Sequence, residues 1–97
     1  MGDIKNKLVM TRGVASCMPD DTFAQSVNSG IARFMANDWG DSLDKELNDS
    51  DHYSAMGVYP VPVVDGNDAK IWVKADDYRG DPSLNGRLVT VLFPSEY

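Results

Sequence analysis

Apolar residues recur along this chain with two different periods, and the change from one to the other organises it. Phe23, Val27, Ile31 and Phe34 follow at spacings of four, four and three, and Ala24 and Met35 widen the same stripe. That is the period of one helical face, and it predicts a helix over about 20–36. Pro19 suits its first turn because it has no N–H to leave unpaired. Asp20 and Asp21 lie where the helix dipole favours negative charge. Gly30 in the interior costs about 1 kcal/mol relative to Ala, and allows a neighbour to pack closely.

Before this helix, residues 7–15 (K-L-V-M-T-R-G-V-A) have strand composition, with Gly13 marking a bulge or the strand's end. After it, Asn37 to Asp41 break the periodicity, with Gly40 suited to a left-handed conformation. Asp41 or Ser42 can then cap a short second helix, with Leu43 and Leu47 one turn apart as its buried pair. From residue 53 the period becomes alternating. Tyr53 to Val64 is extended, but Pro60 and Pro62 remove two ladder donors, so this strand lies at an edge or is interrupted. Asp65-Gly66-Asn67-Asp68 signals a turn. In Lys70-Ile71-Trp72-Val73-Lys74, Ile71, Val73 and Ala75 face the core and Trp72 faces the other way, beside Lys70 and Lys74. Residues 79–87 form a loop. Leu88 to Phe93 is the most apolar strand and is expected at the centre of the sheet. The order is β-α-α-β-β-β, an α+β class. An antiparallel sheet is covered on one face by the long helix and a short acidic helix.

The chain has 97 residues, enough for one domain spanning 1–97 and one modest core. Its longest apolar runs are far short of a membrane span. The first seven residues lack the apolar stretch of a secretory signal. Gly2 lacks the following Ser or Thr of a myristoylation site. Cys17 is the sole cysteine, so no internal disulfide forms, and a reducing cytoplasm fits best.

Charge changes the picture. The chain nets −6, and between Asp38 and Asp51 six acids (Asp38, Asp41, Asp44, Glu46, Asp49 and Asp51) oppose Lys45 alone, a net −5. Most of the negative charge therefore sits in one short segment. Such a surface either attracts basic surfaces and repels nucleic acid, or is a solvated acidic helix that only keeps a small domain soluble. Trp39 lies inside it, either as an interface anchor or as a side chain closing the core under the turn. The candidate partner-binding residues are these six acids and Trp39, with the 79–87 loop as a second candidate contact.

Candidate catalytic chemistry is sparse. His52 and Cys17 are the only residues of their kinds, and no motif joins them. One His and one Cys cannot close a zinc site. Asp81-Pro82-Ser83-Leu84-Asn85-Gly86 resembles the start of a calcium loop, but its twelfth position is Leu92 where Glu is required. There is no Walker loop and no G-x-G-x-x-G. Lys70, Trp72 and Lys74 could form a stacking platform for bases, yet Asp76 and Asp77 follow directly. The residues point to no catalytic group, no cofactor and no metal.

Four stretches together carry a resemblance: T-R-G-V-A (Thr11–Ala15), D-W-G-D (Asp38–Asp41), K-I-W-V (Lys70–Val73) and T-V-L-F-P-S-E-Y (Thr90–Tyr97). The chain resembles a group of small proteins carried on plasmids, integrative elements and phages. It departs from them in two prolonged segments, V-Y-P-V-P-V-V-D-G-N-D-A and R-G-D-P-S-L-N-G-R. The resemblance implies a mobile element in the cytoplasm of a bacterial host, where small acidic proteins blunt defences against foreign DNA. That setting, taken with the acidic segment, leads to the expectation of an anti-CRISPR or anti-restriction inhibitor. Its acidic surface would mimic phosphate and dock onto the basic nucleic-acid-binding surface of a CRISPR effector or restriction complex. A different class stands beside it: an accessory protein of plasmid or element maintenance that binds another protein.

Overall fold

A computed structural model describes residues 5–97. The readings of a signal and of Gly2 fall mostly outside that range. Strand β1 (Asn6–Met10) is followed by helices α1 (Arg12–Cys17), α2 (Asp21–Met35) and α3 (Lys45–Ser50). A 3₁₀ turn (His52–Ser54) leads into strands β2 (Met56–Pro60), β3 (Lys70–Tyr78) and β4 (Gly86–Leu92). The class is α+β, as the periods imply. Among the described residues no helix is long and apolar enough to cross a membrane.

The sheet order is β1-β4-β3-β2. β2, β3 and β4 form an antiparallel meander, while β1 pairs in parallel with β4. The sheet is therefore mixed rather than wholly antiparallel. The helices carry the chain from β1 to the far edge, and a meander of three strands returns to β1 running in its direction. β4 is central, as its apolar run implies.

The expected first strand over 7–15 is shorter and ends in a helix. Thr11 is the N-cap of α1 and its hydroxyl accepts from the Val14 N–H at 3.4 Å. Val14 and Cys17, three apart, then point into the core. Pro19 lies just outside α2 rather than in its first turn. Asp20 is the N-cap there, accepting from the Phe23 N–H at 2.9 Å. At the other end Asn37 adopts φ 63°, with Asn37 N–H on the Phe34 carbonyl and Asp38 N–H on the Arg33 carbonyl. This is the double bond of a Schellman stop.

Phe23, Val27 and Phe34 of α2 pack with Val14, Trp39 and Phe93 on one face of the sheet, formed by Tyr59, Ile71, Val73, Ala75, Val89 and Val91. Gly30 is buried because a side chain there would press on the Tyr59 ring, about 3.1 Å from an added Cβ. The close approach expected of this glycine is thus to β2. On the opposite face Val58, Trp72 and Leu92 stand in register across three strands. Trp72 meets Tyr97 of the C-terminal tail edge-on at 5.3 Å.

Two of the quoted stretches meet in space as a structural clasp. The Glu96 carboxylate accepts from the Thr11 hydroxyl (2.6 Å), the Gly13 N–H (3.2 Å) and the Phe93 N–H (2.9 Å). The tail thereby caps α1. The D-W-G-D stretch guards the outer edge of β2: Val58 donates to the Trp39 carbonyl (3.1 Å) and accepts from the Asp41 N–H (2.9 Å). Gly40 has φ 64°, and a Cβ there would fall on the Val58 carbonyl. An edge strand left bare is a template for wrong pairing, and this short bridge covers it.

Candidate functional site

The acidic segment is held from beneath by three devices. The first is the backbone bridge to Val58. The second is Trp39, which is 3% exposed and packs edge-on against Phe34 at 5.3 Å. Its indole N–H donates to Asp49 Oδ1 at 2.7 Å. The third is Asn48, the one buried residue of α3. Its amide oxygen accepts from the Met56 N–H (3.0 Å), and its NH₂ donates to the Met56 carbonyl (2.7 Å) and the Ser42 hydroxyl (3.3 Å).

This arrangement corrects the expected buried pair. Leu43 is 99% exposed and Leu47 69% exposed. Helix α3 begins only at Lys45, so Leu43 lies on the bend before it. Asn48 takes the inward position, which turns Leu47 towards solvent. The inside of this segment is polar and aromatic, and its outside carries leucines. Trp39 is likewise a core side chain here and offers no exposed anchor, because its ring fills the space under the turn.

The six acids divide into two groups. Asp38 accepts from Arg33 (Nε at 2.9 Å, Nη2 at 3.3 Å) and from the Gly40 N–H at 3.1 Å. Both hold its carboxyl below the ordinary carboxylate range, the guanidinium more strongly. Asp49 receives the Trp39 indole, and Asp51 caps the 3₁₀ turn through the Tyr53 N–H at 3.0 Å. Asp41, Asp44 and Glu46 are exposed, and their carboxylates make no hydrogen bond or ion pair among the described residues. Structure thus absorbs three of the charges and displays three. No group of three or more His, Cys, Asp or Glu among the described residues could hold a metal ion.

Cys17 is buried at the end of α1, while the His52 ring lies against Trp39 at 5.7 Å. No hydrogen bond joins them. The expected loop over 79–87 is shorter, because Gly86 and Arg87 belong to β4 and are buried. The remaining loop is internally braced. Asp81 accepts from the Ser83 N–H (2.8 Å) and hydroxyl (2.6 Å). Arg79 pairs with Asp77 at 2.7 Å and lies 4.0 Å from the Tyr53 ring centre.

Hydrogen bonds from the Arg79 side chain and backbone lower the Asp77 carboxyl to about 2. A depressed carboxylate contributes its stabilisation above the ordinary value of 3.8 and loses it as pH falls through about 2. The Arg79 Nε–H resonance is therefore expected to shift with a midpoint near the lower figure. A midpoint at the ordinary carboxylate value would mean that the clip does not form in solution.

No protein-family model matches this chain, and no curated protein or solved structure does.

Proposed function

We propose that this chain is a binding protein that docks onto a basic, nucleic-acid-gripping surface of another protein. The observation that carries the reading is the division of the acidic segment. Asp41, Asp44 and Glu46 face solvent and none is in an ion pair with a cation, although Lys45 and Lys70 lie nearby, on a segment held from below. Unpaired carboxylates on a rigid support offer the charge that a phosphate-binding channel attracts, and such fields act mainly on encounter and specificity. The mobile-element setting that the resemblance of the four stretches implies favours a host defence complex as that partner, a CRISPR effector or a restriction enzyme. The chain is then an inhibitor from a mobile element, with a maintenance accessory as the alternative.

The test is capture from a bacterial host with the chain and with an Asp41→Asn, Asp44→Asn, Glu46→Gln variant. A Cas or restriction subunit is expected with the first and should be lost with the second. The fold should survive, since exposed substitutions of this kind cost within about 0.5 kcal/mol. Binding should weaken as salt rises, because exposed charges are screened over about 8 Å at physiological ionic strength. A variant that captures the same subunit equally well would end the phosphate-mimic reading. Recovery of replication or mobilisation proteins would favour the alternative.

A further inference from the structure

We propose that the groove between the 41–44 bend and the outer face of the sheet takes the apolar side of a positively charged amphipathic segment from a protein partner. The proposal rests on the reading of the acidic segment as the binding surface, and adds an apolar contact to it. The groove has a volume of about 290 Å³, with Met56, Val58 and Trp72 as apolar lining, Leu43 beside them, and Asp41 and Asp44 at its rim. Lys70 is the one cation along it. Leu43 is 99% exposed although the backbone around it is tied down: before it the Asp41 N–H donates to Val58 and the Ser42 hydroxyl accepts from Asn48, and after it the Asp44 N–H donates to the Ser42 hydroxyl at 3.4 Å. A backbone already held in place loses little freedom on binding, so ordering Leu43 costs mainly its own side-chain rotamers. Leu47, 69% exposed, extends the apolar surface along α3 beside Glu46.

Charge selects the occupant. Nucleic acid and anionic lipid are repelled by Asp41, Asp44 and Glu46. A second copy of this chain on a two-fold axis would set the same patch against itself, and so the same acids. A neutral apolar segment would desolvate the rim carboxylates and leave them unpaired. A segment that places an apolar side chain in the groove and Lys or Arg beside it satisfies both the lining and the rim. Apolar anchors seated inside a polar rim are the usual anatomy of such contacts.

Three synthetic peptides provide the test: an amphipathic Leu/Lys helix, the same peptide with Ser in place of Leu, and one with Glu in place of Lys. Binding is followed by NMR through the Trp72 indole N–H and the Met56 and Val58 amides. The Leu/Lys peptide is expected to bind and move these signals. Leu43→Ser should weaken it by about tenfold or more, as expected for losing one buried Leu contact. The Ser/Lys peptide should bind at least about tenfold more weakly and leave the Trp72 indole unmoved. The Leu/Glu peptide should not bind. An unchanged affinity in Leu43→Ser overturns the proposal, as does equal binding of the Ser/Lys peptide. So does concentration-dependent self-association that moves the same signals without peptide. If the Ser/Lys peptide fails to bind even at low salt while the Leu/Lys peptide binds through Leu43, the groove stands and the phosphate-mimic reading alone falls.

Discussion

Replacing Trp39 with Ala is expected to cost about 3–5 kcal/mol of stability, the range for removing a large buried aromatic, and to release the acidic segment from the sheet. The ring is 3% exposed and touches both Phe34 and His52. Its truncation would open a cavity beside α2 and leave Asp49 without the indole donor. In a domain of this size the whole stability is about 5–15 kcal/mol, so the loss is a large share of it. Urea denaturation measures the cost, and amide exchange over residues 41–51 reports the release. Trp39→Phe separates two contributions: it keeps most of the apolar volume and removes the indole hydrogen bond, and should lose only about 1–2 kcal/mol. The partner should still bind Trp39→Phe, because the displayed acids remain in place. A Trp39→Ala variant that loses less than about 1 kcal/mol would show that the segment is held by its backbone bridge and Asn48 alone. A Trp39→Phe variant that keeps its fold but loses the partner would return the indole to the interface.

The two periods made the main helix, the inward face of β3 and the central place of β4 legible from the sequence. Phe23, Val27 and Phe34, like Ile71, Val73 and Ala75, are buried as their spacing requires. What escaped was governed by polar chemistry or by tertiary contacts. The start of α1 is set by the Thr11 hydroxyl and by Glu96 from the far end of the chain, a contact no local pattern reveals. The inward face of α3 is set by one amide, Asn48, that satisfies both backbone groups of Met56. Leu43 and Leu47 looked like a buried pair because Leu normally is one. A signal was present even so: the window between Asp38 and Asp51 contains a single Asn and a single Trp, and these two turn inward. The excess of acid was visible from composition, but its division into engaged and displayed carboxylates required the positions of Arg33, the Trp39 indole and the Tyr53 N–H.

Arg87→Ala is expected to cost about 3 kcal/mol, mostly through acceptors left behind in a buried place. Arg87 lies in β4, is 3% exposed, and has no carboxylate partner among the described residues. Its guanidinium donates instead to the His52 carbonyl, the Asn6 side-chain oxygen and, at 3.5 Å, the Met35 sulfur, with the Phe34 ring centre 5.1 Å away. Burial pulls its pKa down from the usual guanidinium range, yet a group starting so high keeps its proton at any working pH. The charge is therefore held by dipoles and a ring face in place of an anion, an arrangement that depends on the planar fork of donors. Arg87→Met tests this directly. It retains much of the stem's packing and should still lose about 1–3 kcal/mol, because the His52 carbonyl is left without its donor. Arg87→Lys should fall between wild type and Met, since an ammonium cannot reach three separated acceptors or lie flat on Phe34. The loss should be local as well as global: amide exchange should rise first over residues 52–55, where the 3₁₀ turn closes the acidic segment against the sheet. If Met at this position is as stable as Arg, the hydrogen bonds contribute nothing net and the residue acts through packing alone. If the 52–55 amides stay protected in a destabilised Arg87→Ala protein, the turn is held by Asp51 and Trp39 and the effect of Arg87 lies at the β1 edge.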